Sequence, residues 1–326
     1  MSRAGRRGRG LRIAFGLFAA ALLVVAAEAG LRVAGVEPSG FVYPRPEGWR
    51  LPPEERRRVD QPDPQPDFDV HTNVDGLRSP LGRAPRPGVR RAGVVGDSTV
   101  FGWGVDEADA LPARLAEALG AGWEVLNGGQ PGYSSEQILR LVDRVIASYS
   151  LDDLVVVCPM HDLLDADRPD AEWLDDTPLA PLEWLRVNSS LYRAIRGARE
   201  EARANGPGPR RPPANPDDPD RVTRVPPARR AEVRAALVAR VAPARVWFTV
   251  LPSDHDLRRG PGPQNAMARE VSTWAATAGA RFIDLSRAFP AGTAVEDVTL
   301  PGDTGHYNRA GSDRIAAVIA AALGAE

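Results

Sequence analysis

The stretch Val94-Val95-Gly96-Asp97-Ser98-Thr99-Val100-Phe101-Gly102 decides the fold, because an apolar run ends there in a small-acidic-hydroxyl turn. A strand that enters a sheet and stops at a sharp turn leaves the Ser98 hydroxyl at the carboxyl edge, beside free backbone N–H groups. A nucleophile of an α/β protein occupies such a position. Gly-Asp-Ser is also an ordinary turn composition, so the rest of the chain has to distinguish the two interpretations.

Short apolar runs alternate with amphipathic helical stretches beyond Arg90, which predicts a parallel sheet covered by helices on both faces. The predicted strands are residues 92–95, 124–126, 154–158, 246–251 and 281–285. The predicted helices are residues 108–119, 135–148, 229–241, 264–278 and 309–323. The expected fold class is therefore α/β, a three-layer α/β/α arrangement with a mainly parallel five-stranded sheet.

The beginning of the chain predicts a membrane segment. A basic tail (1–12) contains five arginines and precedes an apolar segment (13–36) that is uncharged from Ile13 to Ala27. This order keeps the tail in the cytoplasm and places the rest outside, in the periplasm or at the cell surface. Ala27-Glu28-Ala29 also has the small-x-small pattern of a cleavage site. A retained anchor, a cleaved signal that leaves a secreted domain, and a buried soluble helix all remain open.

Proline recurs too often between residues 37 and 88 for helices, most densely from Gln61 to Pro66. This composition predicts an extended spacer. Near the end of that spacer, residues 67–78 have the strand-like pieces and the Asp75-Gly76 turn of an edge hairpin. The domain proper then spans residues 89–326, with an insertion at about residues 165–228 that the alternating pattern does not cover.

The composition excludes several classes of protein. All 41 basic residues are arginine, so Schiff-base chemistry and the P-loop lysine are absent. Beyond the basic tail, the remaining 36 arginines face 43 acidic residues, which makes nucleic acid an unsuitable partner. Cys158 is the single cysteine, so the chain can form neither an intrachain disulfide nor a thiolate zinc cluster.

Polar residues follow the predicted strands, where the ligand site of such a sheet lies. They are Asp97-Ser98, then Asn127-Gly128-Gly129, then His161-Asp162, and Asp303 with His306 in the loop before the last helix. The Asp303 carboxylate can hold the His306 imidazole while the other ring nitrogen takes the Ser98 proton. Together these are the parts of a hydroxyl-nucleophile acyl-transfer site.

At these residues the sequence resembles the SGNH, or GDSL, hydrolases, from Arg91 to the end of the chain. The four blocks of that family occur in order as Gly96-Asp97-Ser98, the glycine of Asn127-Gly128-Gly129, His161-Asp162 and Asp303-x-x-His306. The resemblance implies a flavodoxin-like SGNH hydrolase fold in which Ser98 is the nucleophile, His306 the base and Asp303 its orienting carboxylate. It also implies an oxyanion hole made by the Ser98 and Gly129 amides and a third-block side chain.

The third block departs from the family pattern Gly-x-Asn-Asp, because this chain has Pro159-Met160-His161-Asp162. Asparagine donates through a neutral amide, whereas His161 donates only in a tautomer that places an N–H toward the oxyanion. His161 can be interpreted as an oxyanion donor, a structural histidine or a metal ligand, and the first is our prediction. Candidate substrate-binding residues are Asp97, Asp162 and Tyr133.

The predicted function is an extracytoplasmic serine esterase that hydrolyses acyl esters through an acyl-enzyme, with no cofactor or metal. A small-molecule ester, or an acylated glycan or lipid of the cell envelope, is the expected substrate, and the membrane is a partner through the first helix. Glu28, Arg32 and the proline-rich stretch resemble a bacterial, membrane-anchored branch of the family. The alternatives are an O-acyltransferase on the same scaffold and a catalytically weakened glycan- or partner-binding module, which the third-block substitution favours.

Overall fold

Five apolar runs of the chain pair as a parallel sheet in the computed structural model. The structure describes residues 3–36, 43–45, 48–176, 189–205, 222–252, 254–259, 266–290 and 292–325. The chain divides into two compact units, one formed by Met1–Arg45 with Pro178–Pro213 and the other by Pro46–Thr177 with Ala214–Glu326. The second unit contains the sheet and every candidate site residue.

The strands are β1 (Tyr43–Arg45), β2 (Gly48–Arg50), β3 (Arg56–Val59), β4 (Phe68–His71), β5 (Arg90–Gly96), β6 (Trp123–Gly129), β7 (Asp153–Val157), β8 (Arg245–Thr249), β9 (Arg281–Ile283), β10 (Thr299–Leu300) and β11 (Asp303–Tyr307). The helices are α1 (Arg3–Val33), α2 (Ser98–Phe101), α3 (Leu111–Leu119), α4 (Ser135–Arg144), α5 (Asp170–Asp176), α6 (Ser190–Asn205), α7 (Pro227–Arg240), α8 (Asp254–Arg259), α9 (Ala266–Ala278), α10 (Val295–Val298) and α11 (Arg309–Gly324). The five predicted strands and five predicted helices are all present, with shifts of a few residues at their ends.

The parallel sheet has the strand order β6-β5-β7-β8-β9. The chain leaves β5 toward β6 on one side and continues from β7 toward β8 on the other, so the direction of winding reverses between β5 and β7. Ligands of open α/β sheets bind at such a reversal, beyond the carboxyl ends of the strands. The ends of β5 and β7 carry Ser98 and His161 respectively, which places both residues at the reversal.

Each face of the sheet carries its own apolar core, because successive side chains of a strand point to opposite faces. One core joins Val95, Leu126, Val156 and Phe248 of the sheet to side chains of α4, α7 and α9. The other joins Val94, Val155 and Trp247 to side chains of α3 and α11. The three-layer α/β/α arrangement predicted from the sequence is confirmed.

The predicted extended spacer at residues 37–88 is wrong from residue 48 onward, because this stretch packs as part of the second unit. Strands β3 and β4 pair antiparallel, and Phe68, Val70 and Leu77 are completely buried. The proline content obscured these three apolar residues. Phe68 and Val70 alternate along β4 and Leu77 follows the turn, and together they supply the burial that a spacer lacks. The predicted turn is present, since Gly76 has a φ of 73° and its N–H donates to Asn73 O.

Arg78 fixes this stretch to the segment that follows Ser98. Its buried guanidinium donates to the carbonyl oxygens of Gly102, Asp69 and Val105 at 2.6, 2.6 and 2.8 Å. Burial lowers the pKa of Arg78 to about 10, although acidic residues nearby act in the opposite direction. A buried arginine that satisfies several carbonyl oxygens holds the backbone after Ser98 in one conformation.

In the first unit, residues Arg12–Val33 of α1 form a helix long and apolar enough to cross a membrane, and a signal sequence would meet the same criterion. Arg32 Nε lies 2.8 Å from Glu28 Oε1, as the spacing of four residues predicts. The Glu28 carboxylate also accepts hydrogen bonds from Ser189 Oγ, Ser190 N and Leu191 N, at 2.8, 3.0 and 3.0 Å. Glu28 therefore caps the N-terminus of α6, a helix of the predicted insertion.

Candidate active site

Ser98 is the first residue of α2, directly after the turn that ends β5. Asp97 is the N-cap of this helix, and its Oδ1 accepts hydrogen bonds from Thr99 N at 3.0 Å and Thr99 Oγ1 at 2.7 Å. The Ser98 N–H has no hydrogen-bond partner among the residues that the structure describes, as expected in the first turn of a helix. The predicted oxyanion donor at Ser98 is therefore available.

Asp303 and His306 lie on β11 rather than in a loop, and an irregularity in the β10–β11 pair brings them together. Leu300 pairs with Asp303, but Thr299 pairs with Tyr307, so one step along β10 corresponds to four residues of β11. The three residues between the two pairs bulge out of the ladder. In a regular strand, side chains three residues apart point to opposite faces, and the bulge removes that restriction.

The His306 ring bridges Ser98 and Asp303. Its Nε2 lies 2.7 Å from Ser98 Oγ, and its Nδ1 lies 2.6 Å from Asp303 Oδ2. Asp303 Oδ1 accepts a hydrogen bond from Gly305 N at 2.9 Å, which fixes the carboxylate. With the Nδ1 proton held by Asp303, Nε2 presents its lone pair to the serine hydroxyl and can accept the hydroxyl proton.

A second Asp–His pair lies beside Ser98. His161 Nδ1 is 3.0 Å from Asp97 Oδ2, and the other ring nitrogen of His161 has no partner among the described residues. Burial raises the pKa of Asp97, but the hydrogen bonds from His161 and Thr99 outweigh it, so the pKa lies below its ordinary value. Asp97 is thus an ionised, buried carboxylate that orients His161, and this corrects its prediction as a substrate-binding residue.

In the loop after β6, the N–H of the predicted donor Gly129 is engaged, and among the described residues a later glycine has the free N–H. The Gly129 N–H donates to Asn127 Oδ1 at 3.0 Å, so this predicted oxyanion donor is already engaged within its own turn. A Cβ at Gly129 would lie 2.2 Å from Phe101 N, which shows that the glycine is needed for close packing. The Gly132 N–H, three residues later, has no partner in the part of the chain that the structure describes, and Gly132 has a φ of 77°.

Arg224, from the end of the insertion, holds the loop that carries Gly132. Its Nη1 donates to Gly132 O at 2.8 Å, and its Nη2 donates to Gln137 Oε1 at 2.6 Å. Two further bonds join it to the Asp170 carboxylate, with Nη2 and Nε at 2.8 and 3.0 Å from Oδ2. The guanidinium therefore fixes the Gly132–Tyr133 peptide group, next to the Pro131–Gly132 group that carries the Gly132 N–H.

The other two candidate substrate-binding residues are structural. Asp162 is buried, and its Oδ1 accepts a hydrogen bond from Ser135 N at 2.7 Å, at the beginning of α4. Tyr133 is completely buried, its hydroxyl donates to Trp49 O, and its ring meets the Trp49 ring edge-on at 5.6 Å. Both predictions are corrected, because neither side chain has a surface from which it could contact a substrate.

The known proteins that this chain matches are all solved structures. No family model matches the chain, and no curated protein matches it. The chain is similar to the crystal structure of TesA, with 16% identity and a TM-score of 0.44 over 72% of this chain and 98% of that one. It is similar to the lipase/acylhydrolase from Enterococcus faecalis, with 16% identity and a TM-score of 0.45 over 73% of this chain and 96% of that one. It is also similar to Est24, a carbohydrate acetylesterase from Sinorhizobium meliloti, with 14% identity and a TM-score of 0.40 over 72% of this chain and 99% of that one.

Proposed function

We propose that this protein is a serine esterase that cleaves acyl esters through an acyl-enzyme on Ser98. The observation that supports the proposal is the His306 ring, with Ser98 Oγ 2.7 Å from one nitrogen and Asp303 Oδ2 2.6 Å from the other. A hydroxyl, a base and an orienting carboxylate in this order are the elements that activate a serine nucleophile.

The reaction follows from these contacts. Ser98 Oγ attacks the ester carbonyl carbon while His306 Nε2 takes the hydroxyl proton, and the carbonyl oxygen becomes an oxyanion. The C–O bond to the alcohol then breaks, and His306 returns the proton to the leaving alkoxide. A water molecule then attacks the acyl carbon and loses a proton to His306. The bond from that carbon to Ser98 Oγ breaks, His306 returns the proton to Ser98 Oγ, and the carboxylic acid leaves. The backbone N–H groups of Ser98 and Gly132 and the His161 ring are the proposed partners of the oxyanion.

The test is covalent labelling of the full-length protein with a fluorophosphonate probe, together with hydrolysis of a short-chain aryl ester. We expect labelling of the parent and loss of both labelling and hydrolysis in Ser98→Ala. Ser148→Ala serves as the matched control, because Ser148 Oγ is bonded to Val145 O, away from the triad. Equal labelling of the Ser98→Ala variant and the parent would exclude Ser98 as the nucleophile.

We further propose that α1 is retained as an anchor and that the esterase acts outside the cytoplasm on acyl esters of the cell envelope. Five arginines precede the apolar segment, which is the orientation signal of the positive-inside rule. Cleavage after Ala29 would remove Glu28, the carboxylate that caps α6 through Ser189, Ser190 and Leu191. Retention therefore preserves a contact that cleavage would destroy.

Two measurements test this location. The mass of the protein isolated from bacterial membranes should be that of the uncleaved chain, and a chain that begins near Gly30 would contradict retention. Protease added to intact spheroplasts should digest the domain beyond α1, and complete protection of that domain would reverse the orientation.

A further inference from the structure

The Asp97 carboxylate determines which nitrogen of His161 carries a proton. Asp97 Oδ1 accepts both hydrogen bonds from Thr99, and Oδ2 lies 3.0 Å from His161 Nδ1. An ionised carboxylate only accepts hydrogen bonds, so the partner nitrogen has to be the donor. His161 therefore holds a proton on Nδ1 in both its neutral and its charged form.

This arrangement has a chemical consequence for Nε2. In the neutral ring, a proton on Nδ1 leaves a lone pair on Nε2, which would repel a developing oxyanion. Only the imidazolium has an N–H at Nε2. An asparagine at this position would donate through its neutral amide at any pH, so the histidine makes the donor depend on protonation.

We propose that His161 stabilises the oxyanion that forms when Ser98 attacks an ester. It does so only as an imidazolium, with Asp97 as its buried counterion. The proposal rests on the proposed esterase function and adds a positive charge to its oxyanion hole. The side chain of Asp97 is 8% exposed and that of His161 is 28% exposed, so the carboxylate is enclosed while the ring is partly open to solvent. A charged donor gives a stronger hydrogen bond to an oxyanion than a neutral amide does.

The charged groups around His161 support this assignment. Asp97, from the β5–α2 turn, is the ion-pair partner of the ring. Asp162, the next residue in the chain, directs its carboxylate to Ser135 N, and Arg224 and Arg230 act on Asp162. His306, from β11, contacts Ser98 Oγ through Nε2. Within the described part of the chain, the carboxylate in contact with the His161 ring is therefore that of Asp97.

The two histidines must then have opposite protonation states during turnover. His306 has to be neutral to accept the Ser98 proton, and His161 has to be charged to donate. The rate should rise with pH as His306 loses its proton and fall at higher pH as His161 loses its own. The proposal therefore predicts a bell-shaped pH–rate profile whose alkaline limb depends on His161.

Turnover of one aryl ester across pH tests this assignment in three proteins, the parent and two variants. His161→Asn should retain much of the rate at the optimum and lose the alkaline limb, because an amide donates without titrating. Asp97→Asn should also lose the alkaline limb, because an asparagine amide donates to Nδ1 and leaves a neutral ring with an N–H on Nε2. We expect its rate at the optimum to fall about tenfold, since a neutral donor replaces a charged one. The amide oxygen introduced by Asp97→Asn can still accept from Thr99, so the helix cap is kept.

An alkaline limb that persists unchanged in either variant would overturn the proposal. Hydrolysis that survives in Ser98→Ala would instead refute the esterase function itself, so the two failures are distinguishable.

A spectroscopic measurement tests the tautomer without activity. Nitrogen-15 NMR of the full-length Ser98→Ala protein in detergent micelles should show neutral His161 with its proton on Nδ1 at high pH. The signals are assigned by their loss in Ser98→Ala/His161→Asn, and they should change to the Nε2–H tautomer in Ser98→Ala/Asp97→Asn. A neutral His161 with its proton on Nε2 in Ser98→Ala would overturn the proposal.

Discussion

Two Asp–His pairs flank the same serine, and they differ in what the second ring nitrogen faces. In the pair on β11, His306 Nδ1 contacts Asp303 and Nε2 contacts Ser98 Oγ. In the pair between β5 and β7, His161 Nδ1 contacts Asp97, and Nε2 has no partner among the described residues. The carboxylate fixes the tautomer in both pairs, so the role of each ring depends on the atom that Nε2 meets.

The comparison also separates the two pairs by their origin in the chain. Asp303 and His306 are three residues apart, so a sequence pattern can reveal them. Asp97 and His161 are 64 residues apart and meet only because β5 and β7 are neighbours in the sheet. The first pair works with a neutral ring as a base, and the second is proposed to work with a charged ring as a donor.

The strongest test of this difference is the same substitution in both pairs. Asp303→Asn should lower turnover by roughly ten-thousandfold, because an asparagine amide favours the tautomer with a proton on Nε2, which cannot accept the Ser98 proton. Asp97→Asn should lower the rate at the optimum only about tenfold, since the altered tautomer still provides a donor. The measurement is kcat for one aryl ester in both variants at the pH optimum of each.

Equal losses in the two asparagine variants would break the comparison, because both carboxylates would then serve histidines in the same role. Circular dichroism spectra and melting temperatures of the two variants provide the control for folding.

The second test removes the His161 ring. His161→Ala should lower turnover by roughly a hundred- to a thousandfold, the typical effect of one preorganised oxyanion donor, and mainly through kcat. His161→Asn should restore much of that loss, because its amide donates from a similar position. If His161→Ala stays within about threefold of the parent, against the loss expected for a missing donor, the ring is only structural.

The third test concerns Arg224, whose bond to Gly132 O fixes the peptide group next to the one that carries the Gly132 N–H. Arg224→Gln should lower kcat by about tenfold, a part of the effect of losing a whole donor. Asp170→Asn is the matched control, since it removes the charge that pairs with Arg224 but leaves the bond to Gly132 O possible. We expect similar losses of melting temperature in both variants and a loss of kcat in Arg224→Gln alone. A kcat unchanged by Arg224→Gln would remove Arg224 from the site.

The sheet and its helices could be predicted from sequence because strands such as Val94–Val95 and Val155–Val156 are short apolar runs between amphipathic helices. The spacer prediction failed at Phe68 and Leu77, because the prolines of that stretch dominated the composition while only a few apolar residues supply the burial. No local pattern marks Arg78 as buried, since its four carbonyl partners come from two other segments, at Asp69 and at residues 101–105.

The site was partly predictable, because some of its residues lie in local sequence patterns. Ser98, Asp303 and His306 lie in short local motifs, and their roles remain predictions until the labelling test is made. The engagement of Gly129 by Asn127 is a local contact, and the turn Pro131-Gly132 is the signal that could have indicated the free amide. Asp97 as a partner of His161, and Arg224 as a partner of Gly132, depend on strand order and on the return of the insertion.

The smallest expected effect on turnover concerns Asp162, which follows His161 in the chain but contacts Ser135 N instead of the ring. Asp162→Asn should keep turnover within about threefold of the parent, since it removes no oxyanion donor, and it should leave the alkaline limb in place. An asparagine retains the acceptor for Ser135 N and removes the charge. A displaced alkaline limb in this variant would mean that Asp162, rather than Asp97, governs the charge of His161.

The buried Asp162 carboxyl should also make the stability of the parent protein depend on pH. Burial raises the pKa of Asp162 to about 6, against the hydrogen bonds from Ser135 and the attraction of Arg230 and Arg224. The folded protein therefore binds this proton more tightly than the unfolded chain, so the stabilisation is complete at low pH and is lost as pH rises through about 6. A shift of this size corresponds to roughly 3 kcal/mol in the free energy of unfolding. Chemical denaturation between pH 4 and 7 should show this decline in the parent and not in Asp162→Asn, and parallel curves for the two proteins would contradict it.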